Sequence, residues 1–237
     1  MEHLLGIQTA VPEFFDVLLH FGTLAAVFLV FWKDIAGMAK AIPSLFTNRP
    51  SDSKRLIWLL IIGTLPLIAV LPFTCLVESL KDNVYFIGGA LILTALLLFL
   101  TSKLSKGDKD EGTARFTDAL AVGIAQALAV TPGLSRSGAT LTVGLMSGFT
   151  RNFAIRYAFL LSVPAVLGAT AVKFSRALGD FDPALIPACV AGVLASAAVG
   201  VLCIGLVRKL AARLHYFAIY CATVGVLAIV IQLTTNH

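Results

Sequence analysis

Residues 117–150 read TDALAVGIAQALAVTPGLSRSGATLTVGLMSGFT. Two apolar runs, 117–131 and 139–150, lie on either side of TPGLSRSGATL. Each is too short to cross a bilayer, which needs ~20 apolar residues. Pro132 and Gly133 end the first run, and Gly138 permits tight backbone approach. Two half-length helices joined by a polar, broken turn predict a re-entrant hairpin, with the second half-helix starting near Ala139. Such backbone persists at membrane depth only where protein or a watery cavity satisfies it.

Around this stretch, six segments are long enough to span: roughly 14–32, 56–73, 84–101, 157–173, 184–206 and 216–233. Hydrophobic residues make up 58% of the 237 and charged residues 13%, half the usual share of about a quarter in soluble domains. That excludes a soluble globular enzyme, a disordered chain, a collagen-like rod and a small disulfide scaffold. The apolar runs are continuous, which argues against a membrane β-barrel. The expectation is an all-α polytopic membrane protein, six transmembrane helices plus the hairpin, forming one integral membrane domain over residues 1–237. The net charge of +5 does not point to nucleic acid. Its Lys and Arg sit at the ends of apolar runs, where they set orientation. Cys75, Cys189, Cys203 and Cys221 lie in or beside apolar runs without metal-ligand spacing and read as packing residues. The opening MEHLLGIQTAVPE has no basic n-region, so no cleavable signal peptide is expected.

If the hairpin enters and leaves on one side, 14 basic residues fall on that side and 3 (Lys81, Lys173 and Arg176) on the other. A full crossing would give 12 against 5, a weaker split. The positive-inside rule therefore predicts cytoplasmic loops at 33–55 and 102–116 and both chain ends outside. An internal repeat with an offset of 142 supports an inverted-repeat plan: FDVLLHFGTLAAV from Phe15 faces YAFLLSVPAVLGA from Tyr157. Repeat 1 covers about 1–101 and repeat 2 about 117–237. The partner of the hairpin turn would fall before residue 1, so the chain is expected to begin partway through its first repeat.

The chemistry concentrates in Pro132–Thr140. Free amides at the start of the second half-helix attract anions, phosphate above all. Arg136 adds a planar fork able to hold two phosphate oxygens. Ser135, Ser137 and Thr140 add hydroxyls. The bland alternative is a Ser/Gly-rich helix break with a snorkelling Arg, yet an intramembrane Arg is costly and functional by default. Asp16 and His20, four residues apart on the first span, read either as residues that support the site from behind its direct contacts or as a pair that orients the helix. Gln126 reads either as a ligand or metal contact or as a group satisfying the broken backbone. Asp108, Lys109, Asp110 and Glu111 read as a solvated inner loop. No Walker A, HExxH or GxSxG motif occurs, nor the Pro-Ser-Gly-His element of phosphohistidine lipid phosphatases. A transporter or flippase of a phosphorylated lipid is the rival class, because broken helices in an inverted repeat suit it too.

GIAQALAVTPGLSRSGAT, followed by YAFLLSVPAVLGA, resembles the second half of the bacterial undecaprenyl-diphosphate phosphatase family, and FFDVLLHFGTLAAVFLVFWKDI resembles its first full span. The resemblance runs over essentially the whole chain. It implies a multi-pass enzyme of the bacterial inner membrane that removes the terminal phosphate of undecaprenyl diphosphate. That activity recycles the lipid carrier for peptidoglycan and confers bacitracin resistance. It implies phosphate contacts for Ser135, Arg136, Ser137 and Thr140. With the chemistry of the turn, the expectation is that Arg136, Ser135 and Ser137 are catalytic and that Gly133, Gly138 and Thr140 bind substrate. The resemblance also implies a divalent cation, Mg or Ca, whose ligands are not in this chain. The implied partners are the polyprenyl diphosphate and the bilayer, with room for a homo-oligomer. The family's first repeat opens with Glu-Gly-x-Thr-Glu-Phe-Leu-Pro and then Ser-Ser-x-Gly-His, none of which occurs here. The expectation is a start upstream of Met1, the other reading being a half-site, inactive homologue.

Overall fold

The structure is a computed structural model. It describes residues 13–45, 51–73, 77, 79–80, 83–103, 107–177, 186–210 and 214–235. These residues form nine α-helices and no strand. In chain order they are α1 Glu13–Val30, α2 Trp32–Ala41, α3 Asp52–Val70, α4 Val84–Lys103, α5 Phe116–Leu128, α6 Arg136–Met146, α7 Arg151–Ala177, α8 Ile186–Leu210 and α9 His215–Thr235. Five of them (α3, α4, α7, α8 and α9) are long and apolar enough to cross a membrane, and the count reaches six if α1 and α2 together make one bent span. The break falls at Phe31, where the apolar run meets Trp32-Lys33-Asp34. The chain is a multi-pass membrane protein. On α8, Leu194 is 65% and Leu202 72% exposed, surface that lipid accepts and water does not.

The chain divides into two compact units, Met1–Trp32 with Val163–Gly205, and Lys33–Ser162 with Leu206–His237. In the first, small residues let α1 and α8 approach closely. A Cβ added at Gly22 would come within 2.8 Å of the Ser196 Cβ, and the Ser196 hydroxyl donates to the Leu19 carbonyl at 2.9 Å. Small residues and hydroxyl bonds of this kind replace the hydrophobic effect as helix glue in lipid.

The second unit is built around the α5–α6 pair. At 13 and 11 residues, the two helices reach only about 20 and 17 Å, short of a hydrocarbon core of about 30 Å. α5 packs on α3, α6 packs on α4, α9 packs on α4, and α5 and α6 pack on each other. The α3–α5 crossing is so close that a Cβ on Gly123 would strike the Gly63 carbonyl. The sequence placed the start of the second half-helix near Ala139. The structure starts it three residues earlier, at Arg136, because Ser135 adopts an extended conformation (φ −70°, ψ 114°) and caps the helix. The end also differs, falling at Met146 rather than 150. Gly148 takes φ +90° there. Its amide donates to Leu145 O at 3.0 Å, and that of Phe149 to Gly144 O at 3.0 Å, the paired bonds of a Schellman stop.

Candidate active site

The hairpin is fixed at both ends. At its feet, the Lys109 ammonium lies 2.8 Å from the Asp118 carboxylate at the start of α5 and donates to the Ser147 carbonyl at the end of α6, also at 2.8 Å. Backbone bonds between Lys109 and the Gly148–Thr150 stretch reinforce this. The two half-helices therefore begin and end at the same level. Arg156 on α7 pairs with Asp34 at 3.1 Å and with Glu111. Lys109 and Glu111 thus belong to ion pairs rather than to a purely solvated loop. Of that stretch, Asp110 is fully solvated. The Thr113 hydroxyl, followed by backbone amides, holds its carboxyl below the ordinary carboxylate range.

At the tip, Gly133 takes φ +87°, and a Cβ on it would come within 2.8 Å of the Ile87 carbonyl and 2.9 Å of the Ala90 side chain. Only glycine suits both demands. The Thr94 hydroxyl on α4 donates to the Gly133 carbonyl at 3.1 Å and accepts the Ser135 amide at 3.0 Å. Thr94 lies ten residues from Val84 and nine from Lys103, so it stands about 14 Å from either end of its helix. The tip of the hairpin is level with the middle of α4.

The start of α6 is capped and leaves two amides open. The Ser135 Oγ accepts the Gly138 amide at 3.2 Å, and the Ser135 carbonyl accepts the Ala139 amide at 2.9 Å. The amides of Arg136 and Ser137 have no partner among the described residues. Helix N-termini concentrate positive potential at such groups. Arg136 is half-buried and forms no ion pair among the described residues. Ser137 is exposed, and its hydroxyl makes no bond to another described residue. Thr94, Ser135, Ser137 and Gly138 are among the residues lining a cavity of about 250 Å³. Leu98, Leu141, Ile155, Phe159 and Phe217 are among its apolar walls. Hydroxyls set among apolar walls suit an amphiphilic ligand.

Other sequence-predicted residues take different places. Gly133 supports the turn, and neither it nor Arg136 is among the residues lining the cavity, although Arg136 stands between Ser135 and Ser137, which are. Thr140 is 1% exposed, and its hydroxyl bonds back to the Arg136 carbonyl at 2.9 Å. Gln126 is fully buried, and neither atom of its amide has a partner among the described residues, the backbone of the turn included. His20 is half-buried on α1, in the other compact unit. The Asp16 side chain lies outside the described residues, as do Lys81 and the side chains of Lys173 and Arg176. Thr94 escaped the sequence reading. The available signal was a Thr seven residues before Thr101, on the same face of an otherwise apolar span. Among the described residues, no three His, Cys, Asp or Glu side chains stand where they could hold a metal ion. The cradle itself presents hydroxyls and a guanidinium, so the described residues do not compose a site for a divalent cation.

The family model described as bacitracin resistance protein BacA matches residues 1–227. The chain belongs to the BacA family. Among curated BacA-like relatives, the undecaprenyl-diphosphatase of Methanosphaera stadtmanae is 36% identical, over 97% of this chain and 87% of the relative. That of Alkaliphilus metalliredigens is 36% identical, over 98% and 89%. That of Syntrophotalea carbinolica is 37% identical, over 94% and 88%. Each match spans nearly all of this chain, so the BacA likeness includes the α5–α6 hairpin and its polar turn.

Proposed function

We propose that this chain hydrolyses undecaprenyl diphosphate to undecaprenyl phosphate and inorganic phosphate. It thereby recycles the lipid carrier used for peptidoglycan and confers resistance to bacitracin. BacA membership supports the reaction. The observation that carries the site is the cavity at the start of α6, where Ser135, Ser137 and Gly138 meet an apolar wall. The diphosphate head would lie against these residues at the start of α6, with the first part of the polyprenyl tail against the wall.

In the reaction an oxygen nucleophile attacks the terminal phosphorus. The bond to the bridging oxygen breaks, and the lipid phosphate leaves with that oxygen. Charge spreads over the non-bridging oxygens in the transition state. The Arg136 and Ser137 amides, the Ser137 hydroxyl and the Arg136 guanidinium are the donors that stabilise it, already oriented by the helix. Ser135 holds these groups in place through its cap on Gly138. The divalent cation implied by the family would arrive with the diphosphate, since the described residues offer it no ligand set.

The membrane layout belongs to the same proposal. Residues 116–149 enter and leave on the cytoplasmic side, with the basic loops, in the inner membrane. Six spans and an inverted repeat complete the plan. With the tip near mid-span, the scissile bond would lie at a depth that a lipid head reaches by sinking below the interface. The test is phosphate release from undecaprenyl diphosphate by purified protein in detergent, parent against Arg136→Ala. A loss of about a hundredfold or more is expected in a variant that still folds. Turnover by Arg136→Ala equal to that of the parent would sink the assignment.

A further inference from the structure

Thr94 sits in the α4 run GGALILTALLLFLTSK and is 2% exposed. A buried hydroxyl in lipid-spanning structure needs partners. This one finds both in the hairpin turn, the Gly133 carbonyl and the Ser135 amide. It therefore holds the peptide groups on either side of Leu134 with one oxygen. Ser135 is the residue whose extended conformation starts α6 and whose Oγ caps it. Thr94 also lines the cavity beside Ser135 and Ser137. By occupying the Ser135 amide, it leaves Arg136 and Ser137 as the open donors of the helix start.

We infer that Thr94 is a positioning residue for the phosphate site, acting through Ser135 to set the direction of the α6 N-terminus. The inference rests on the reading of the hairpin as that site. Thr101, two turns further along the same face of α4, provides the contrast. It bonds to the Leu97 carbonyl at 2.8 Å and contacts the Thr142 hydroxyl, so it joins α4 to the body of α6 without touching the turn.

The experiment compares Thr94→Val, which removes both bonds at nearly constant volume, with Thr94→Ser, which keeps them. Thr101→Val and Arg136→Ala complete the set. Each variant is assayed in detergent for unfolding temperature and for phosphate release from undecaprenyl diphosphate. A donor array moved by a fraction of an ångström predicts a kcat loss of about tenfold or more for Thr94→Val, with KM and the kcat of Thr94→Ser within about threefold of the parent. Thr101→Val is expected to lose as much unfolding temperature as Thr94→Val and to keep its kcat. If Thr94→Val does not fold, Thr94→Ala is read by the same criteria. Full kcat in Thr94→Val beside an inactive Arg136→Ala overturns the inference and leaves the site standing. Equal losses in Thr94→Val and Thr101→Val, tracking unfolding temperature, also overturn it, because Thr94 would then only pack. Full turnover by Arg136→Ala overturns the site itself, and this inference with it.

Discussion

The side-chain oxygen of Ser135 accepts the amide of Gly138 at 3.2 Å, closing the first turn of α6. Ser137, two residues on, is exposed and lines the same cavity. The two serines therefore separate in experiment. Ser135→Ala loses a helix cap, worth about 1 kcal/mol, and is expected to lower unfolding temperature and turnover together. Ser137→Ala is expected to lower turnover with the unfolding temperature unchanged. Thermal unfolding beside phosphate release distinguishes them, and equal thermal losses would contradict the assignment of the cap.

Gly133 combines φ +87° with backbone contact against Ile87 and Ala90. Gly133→Ala introduces strain and a clash at once, so a loss of about 2 kcal/mol or more is expected. The readout is the yield of folded protein and its unfolding temperature in detergent. A Gly133→Ala protein as stable as the parent would show that the turn is less tightly set against α4 than described.

Lys109 joins the feet of the hairpin through Asp118 and the Ser147 carbonyl. The pair is partly buried, with side-chain exposures of 28% and 13%, so it is less screened than a surface ion pair. Lys109→Met is expected to destabilise by about 1–2 kcal/mol. In Asp118→Asn the same substitution should cost clearly less, since the partner is already uncharged. A double-mutant cycle on unfolding temperature measures the coupling, and a coupling of zero would deny the clamp.

Gln126 buries an amide with no partner on either atom among the described residues. Burying such a group costs about 1–3 kcal/mol, and an apolar residue of similar size removes that cost. Gln126→Leu is therefore expected to raise the unfolding temperature. If the amide serves the substrate, turnover falls at the same time, a trade between stability and activity seen at functional sites. A lower unfolding temperature would show that the amide has a partner in the folded protein.

The class of this protein was legible in its sequence because long apolar runs are a local property. A run of ~20 residues spans a bilayer whatever its neighbours do. The two short runs around TPGLSRSGATL gave the hairpin for the same reason, and Pro132, Gly133 and Arg136 marked its turn. What the runs left open depended on groups far apart in the chain. Thr94 and Ser135 are separated by 41 residues and Arg156 and Asp34 by 122, so only helix crossing brings each pair together. The start of α6 draws on both. Its cap is local, Ser135 to Gly138, a Ser signal that the sequence offered; the hold of Thr94 on the Ser135 amide is what only the tertiary structure adds. Thr140 shows the converse: a hydroxyl that suits phosphate on paper bonds to its own helix once that helix is buried. Residue type and run length decided the architecture and the chemistry on offer. The tertiary structure decided which donors remain open, because a hydrogen bond spent on a neighbouring helix is no longer available to a ligand.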